Sequence, residues 1–157
     1  MRATRADQLG RAVGLPEAFL SNGEGGEVIQ GSASEATLVA VLAARMRALR
    51  HMRGSNPSVS DHELLSSMTL YASDQSHTSV QKAANIAGLG ANIRLIPTRG
   101  SEATAEKSYA LDAFDLVAAM KEDFASGLTP MFVNANVGST NTCAIDPVGS
   151  LARGCHR

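Results

Sequence analysis

Apolar positions at Ala6, Leu9, Val13 and Leu15 fall close to a helical period, which predicts a helix from Arg5 towards Leu20, ended near Pro16. Ser21 to Gly26 is glycine-rich and predicts a loop. Val28-Ile29 is too short to define an element alone, though it suits a brief strand. From Ser32 the pattern turns helical again, with Ala33, Leu38, Val41, Leu42, Ala44 and Met46 in phase. Ser32 and Glu35 have the S-x-x-E form of a capping box, so a helix is expected to start there and run to about Met52. Arg53 to Pro57 is expected to be a loop.

The second half alternates between two kinds of segment. Thr69-Leu-Tyr-Ala predicts a short strand, and Ser76 to Ala87 a helix ended by Gly88 and Gly90. Ile93 to Ile96 alternates and predicts a strand closed by Pro97. Arg99 to Ser108 is polar and reads as a loop. Ala110 to Ala125 reads as an amphipathic helix with Leu111, Phe114, Val117, Ala118 and Met120 on its apolar side, ended by Gly127. Met131-Phe-Val-Asn-Ala predicts a buried strand. Strands alternating with helices imply an α/β fold, a mainly parallel sheet flanked by helices. Ligands on such sheets bind at the carboxyl ends of the strands, where loops run into helices.

Composition narrows the functional classes. Of the 157 residues, 44% are hydrophobic and 18% charged, and the net charge is −1, which points neither to nucleic acid nor to an anionic membrane surface. No apolar run reaches the length of a transmembrane helix, and the first twenty residues lack a signal-peptide core. Two cysteines, Cys143 and Cys155, form no metal spacing and too small a set for a disulfide framework, so a reduced cytoplasmic setting is expected. Aromatic residues are only 4%, there is no Trp, and no helix stop follows Leu151. These features are expected of part of a domain rather than a whole one.

Three loops are candidates for chemistry. Gly31-Ser32-Ala33-Ser34 opens a helix, where free N–H groups and the helix dipole make a phosphate seat, although an ordinary capped helix starts the same way. Gly138-Ser139-Thr140 follows a strand and offers hydroxyl donors, or is simply a turn. His77 precedes a helix, where it can stack on a ring, move a proton, or cap the helix. His51, His62 and His156 sit in polar or basic surroundings and read as surface residues without zinc spacing. No Ser/His/Asp order and no G-x-x-x-x-G-K-[ST] run is present. Asp146 suits either orienting a ligand or capping the helix after Pro147.

Taken together these loops resemble a known family. Gly26-Glu-Val-Ile-Gln-Gly-Ser-Ala-Ser-Glu-Ala-Thr37, Ser73-Asp-Gln-Ser-His-Thr-Ser-Val80 and Gly138-Ser-Thr140 with Asp146-Pro147 are similar, in order, to segments of the group II pyridoxal-phosphate-dependent amino-acid decarboxylases that act on aromatic amino acids, tyrosine or histidine. Leu15 to Leu20 and Gly127 to Phe132 add weaker likeness. The resemblance implies the fold type I, PLP-dependent transferase-like large domain, with 1–157 as a portion of that domain and the small carboxy-terminal domain outside it. It implies pyridoxal 5'-phosphate as cofactor, phosphate contacts from Ala33 and Ser34, a contact from Thr140, and His77 stacked on the cofactor ring as the catalytic candidate. It implies decarboxylation of an aromatic L-amino acid by a homodimer with exposed apolar surface on each isolated subunit.

The departures are specific. Glu27 stands where Gly is usual, Asn136 where Thr or a similar residue is usual, and Thr98 to Ser108 is longer than its counterpart. The chain ends before the D-A-A segment, whose Asp pairs with the ring nitrogen, and before the H-K pair that supplies the Schiff-base lysine. Lys82, Lys107 and Lys121 do not occupy that motif. The chain alone is therefore expected to be inactive. The alternatives are an aldehyde synthase of the same family, or a non-catalytic remnant binding an anion or a partner.

Overall fold

The computed structural model describes residues 5–21, 28–98 and 109–155. The predicted polar loop over 99–108, with Lys107, lies outside these residues, as do Gly26, Glu27 and His156. The chain divides into two compact units, Met1–Ala36 and Thr37–Arg157.

In the first unit, α1 spans Arg5–Ala12 and stops earlier than the apolar spacing predicts. Gly14 takes φ +78°, its N–H reaches Arg11 O, and the Leu15 N–H reaches Gly10 O. That pair of bonds is a Schellman end, which satisfies the last carbonyls before Pro16 is reached. Glu17–Phe19 forms a separate 3-10 turn. Leu9 and Val13, placed on the apolar side by the pattern, are both exposed. Val28 and Ile29 form no strand and are exposed too. Asp7 is buried and accepts from Ser21 N–H at 2.7 Å and Ser21 Oγ at 2.6 Å, which fastens the end of this segment back to α1. The start of α2 is as expected: the helix spans Ala33–Ser55, and Ser32 Oγ accepts from Glu35 N–H at 3.2 Å. It continues past Met52 to Ser55, into the residues expected to form a loop.

The second unit is built on a parallel sheet in the order β2-β1-β3, with β1 Met68–Ser73, β2 Ile93–Ile96 and β3 Thr129–Val133. The predicted α/β class holds. Every residue of the central strand β1 is buried, and its alternation divides two cores. Met68, Leu70 and Ala72 pack with Val41 and Leu49 of α2, Leu64 of α3 (Asp61–Ser66) and Val80, Ala83 and Ala84 of α4 (Thr78–Ile86). Tyr71 packs with Ile96, Leu111, Leu116 of α5 (Ala113–Ala125) and Leu151 of α6 (Val148–Cys155). The alanines on the inner stripe of α4 let that helix lie close to the sheet, and Arg45 of α2 donates to Ala87 O at its end, 2.7 Å away.

Three corrections have physical causes. β3 is only half buried, because it is a flank rather than the centre of the sheet. Its register slips between Thr69 and Leu70, a bulge next to Pro130, which has no N–H for a ladder. α5 starts at Ala113, capped by Asp112 accepting from Phe114 N–H, and it buries Leu116 and Asp123 while Phe114 is 81% exposed. The buried stripe therefore ends in a carboxylate. Asp123 is fully buried and accepts from Tyr71 Oη at 2.9 Å and Arg94 Nε at 2.9 Å. Burial pushes its carboxyl up, but the Arg94 and Tyr71 hydrogen bonds and the Arg94 charge outweigh that and hold it below the usual range. The Tyr71 phenol is driven up, first by burial and then by Asp123.

Candidate functional site

All three strands run in one direction, so their carboxyl ends lie together. β1 leads into 74–77 and β3 into 134–140. Between these two segments lies a cleft of about 560 Å³, walled by Gln75 to Thr78 on one side and Ala135 to Asn141 on the other. Two of the three predicted loops thus meet in one opening, and His77 and Thr140 both line it. Its lining carries no carboxylate and several hydroxyl and amide groups, which suits an anionic, polar guest.

His77 is exposed and is the N-cap of α4, with Nδ1 accepting from Ser79 N–H at 3.2 Å and lying 3.0 Å from Ser79 Oγ. The capping role considered for it is therefore present, and it fixes one ring nitrogen. Nε2 takes no part in the cap. The segment before it is anchored on both flanks. Asp74 accepts from Thr98 N–H at 3.1 Å and Thr98 Oγ1 at 2.6 Å, joining the ends of β1 and β2. Burial pushes the Asp74 carboxyl up, yet those bonds leave it below the ordinary value.

Gly138 sits at φ +82°, a conformation L side chains avoid, and it lets 137–145 fold back as a tight hairpin. Val137 and Ile145 pair across it, and the Gly138 and Ser139 N–H groups both reach Ala144 O. Ser139 Oγ and Thr142 Oγ1 are hydrogen-bonded. Thr140 is exposed at the turn. Asp146 is buried, and its carboxylate does not cap α6. Its two oxygens accept from Leu111 N–H at 2.7 Å and Asn136 N–H at 2.6 Å. It clamps the start of the α5 segment to the cleft wall.

A cluster that no motif announced lies where the two walls meet. Asn136 Nδ2 donates to Ser73 Oγ at 2.9 Å and Ser76 Oγ at 3.2 Å. Asn134 Nδ2 donates to Asn136 Oδ1 at 3.1 Å and Ser76 Oγ at 3.3 Å. The available signal was the i, i+2 spacing of two asparagines just past a strand, which puts both on one side of an extended segment. Ala33 and Ser34 are exposed in the first turn of α2, within the N-terminal unit. Lys82 and Lys121 are exposed on α4 and α5 and line no part of the cleft. Among the described residues there is no cluster of metal-ligating side chains, and no helix is long and apolar enough to cross a membrane.

The conserved domain of pyridoxal-dependent decarboxylases matches residues 1–157, the whole chain. The chain belongs to this family. It is 43% identical over 152 residues to the aromatic-L-amino-acid decarboxylase of Bos taurus, covering 96% of this chain and 29% of that protein. It is 42% identical over 148 residues to the phenylacetaldehyde synthase of Arabidopsis thaliana, covering 94% of this chain and 28% of that one. Among solved structures, Oryza sativa TDC with PLP and tryptamine superposes with a TM-score of 0.79 at 41% identity, over 97% of this chain and 29% of its own. The family and fold expected from the motifs hold, and the decarboxylase-family chain spans under a third of the length of these relatives.

Proposed function

We propose that this chain forms part of the cofactor cleft of a pyridoxal-phosphate-dependent decarboxylase acting on an aromatic L-amino acid, within a cytoplasmic homodimer. The observation that carries the reading is the cleft at the strand carboxyl ends, which gathers His77 and the Gly138–Thr140 turn in a chain of this family. The lining fits the cofactor: it is free of carboxylates, rich in hydroxyls, and open enough at about 560 Å³ for a substituted pyridine and its phosphate. When bound, pyridoxal phosphate supplies the electron sink that makes loss of carbon dioxide from an amino acid feasible.

The chain's own part is to hold and orient. Thr140 offers a hydroxyl to the phosphate. The family resemblance assigns phosphate contacts to Ala33 and Ser34 as well, which stand in the first turn of α2 within the N-terminal unit. His77 presents a flat ring, held by its Nδ1 cap, against which a pyridine stacks, and its Nε2 is available to hold a proton near the reacting carbon. On this reading residues 1–157 belong to the large, cofactor-binding domain, and the Schiff-base lysine and the Asp facing the ring nitrogen are supplied by sequence other than 1–157. Similarity to a phenylacetaldehyde synthase as well as to decarboxylases keeps oxidative deamination as the second reading.

The test is turnover by the protein at its natural length. Carbon dioxide should be released from L-DOPA, tyrosine or tryptophan with the amine as product, and the 157-residue chain alone should release none above a blank. Aldehyde with ammonia in place of amine would establish the second reading. His77→Ala and His77→Asn should each lower turnover by about two to four powers of ten, the range of a general acid–base group. Unchanged turnover in both would reduce His77 to its capping role.

A further inference from the structure

We infer that Asn136 is the positioning residue of the cleft: through Ser76 and Ser73 it ties the wall that carries His77 to the wall that carries Gly138 to Thr140, and so sets their separation. The inference rests on the cofactor reading only for what the cleft holds, and the tie itself stands on the hydrogen bonds.

Three features carry it. First, both ends of the Asn136 amide are engaged across the gap or along its rim. Its nitrogen donates to Ser73 and Ser76, and its oxygen accepts from Asn134 and lies 3.5 Å from Ser76 Oγ. An amide satisfied at both ends has one orientation, unlike a hydroxyl free to rotate. Second, its backbone is pinned as well, because its N–H donates to the buried Asp146 carboxylate. The residue is held from behind and reaches forward, which is the arrangement a spacer needs. Third, Ser76 is the residue immediately before His77, and its own N–H reaches Ser73 O. A shift of Asn136 is thus passed to the His77 backbone through one residue. By contrast, the β1–β3 ladder ends below the cleft with the Asn134 N–H to Tyr71 O bond, so beyond that point, among the described residues, side chains join the walls.

The experiment uses the protein at its natural length and compares Asn136→Leu, Ser76→Ala, the double variant and Asn136→Thr. Amide hydrogen exchange at Ser76 and Ser79 reports the His77 wall without reference to any ligand. Asn136→Leu is expected to speed exchange there about tenfold, as loss of one to two net hydrogen bonds implies. The double variant should add little, since both changes cut one link. The dissociation constant for pyridoxal phosphate, measured by equilibrium dialysis far below the melting temperature, should rise about tenfold in Asn136→Leu. Asn136→Thr, which keeps one donor and one acceptor, should recover part of both effects. Unchanged exchange in Asn136→Leu and Ser76→Ala overturns the inference, and so does faster exchange with an unchanged dissociation constant. If Asn136→Leu fails to fold, Ser76→Ala with Asn136→Thr decides by the same readouts. Failure of the unsubstituted protein to bind pyridoxal phosphate would defeat the cofactor reading instead, and the exchange result would still decide the tie.

Discussion

Two polar clusters hang from the same central strand, and they behave as opposites. Tyr71 points to the α5 side, where its hydroxyl, Arg94 and the fully buried Asp123 close on one another. Ser73, two residues on, meets Ser76 and Asn136, which Asn134 joins, at the edge of an open cleft. The first cluster contains a charge, and burial makes an unpaired carboxylate costly, so Asp123 accepts from both Tyr71 and Arg94 and the cluster serves the fold. The second is neutral and faces an opening, so it can be both a tether and a wall. Position along one strand therefore separates polar groups enclosed by the fold from polar groups beside the cleft.

The sharpest way to break that contrast is Asp123→Asn. It removes the charge opposite Arg94 and should cost about 3 kcal/mol of stability, the low end for a buried pair because Arg94 is half exposed. A chemical-denaturation midpoint that does not move would show the closed cluster to be dispensable. The pH dependence has a definite sign. The Asp123 carboxyl is held below its ordinary value, so it contributes stability above the unfolded carboxylate pKa, about 3.9, and loses it as pH falls through the lower folded value. Acid unfolding should therefore be shallower in Asp123→Asn than in the parent, as followed by circular dichroism.

Asp146→Ala lies between the two clusters and should cost about 2 kcal/mol, since the Leu111 and Asn136 N–H groups lose their acceptor. It should also disturb the cleft, so pyridoxal phosphate binding should weaken even where the fold persists. Stability loss with binding intact would place Asp146 wholly on the structural side. The smallest stability effect belongs to His77→Ala, at about 1 kcal/mol or less, the value of a helix N-cap. A loss well above that in thermal melting would mean the exposed ring is buried against something in the protein at its natural length.

The sequence reading went furthest where signals are local. The helix starting at Ser32, the α4 and α5 ends at Gly88 and Gly127, and all three strands follow from caps, glycines and alternation. α3 carries a full capping box, Ser60 with Glu63, yet its six residues are too few to show a period. The α5 stripe was misassigned because Asp123 looks solvent-facing. Arg94, brought alongside by the β1–β2 pairing, and the Tyr71 hydroxyl make its burial tolerable. Likewise the motifs singled out His77 and Thr140, which both line the cleft, whereas the Asn134 and Asn136 cluster depends on partners about sixty residues away and its only local mark is the i, i+2 spacing of the two asparagines.

That separation has a kinetic side. β1 pairs first in sequence with β2, but both walls of the cleft exist only once β3 has docked on the other flank of β1. Asn136 and Ser73, 63 positions apart, can meet only after that docking. Contacts closing so long a loop form late, because chain entropy is lost before they reward it. The cleft is thus expected to assemble after the β1–β2 pair, and a ligand that bridges its walls should hold β3 in place once it arrives.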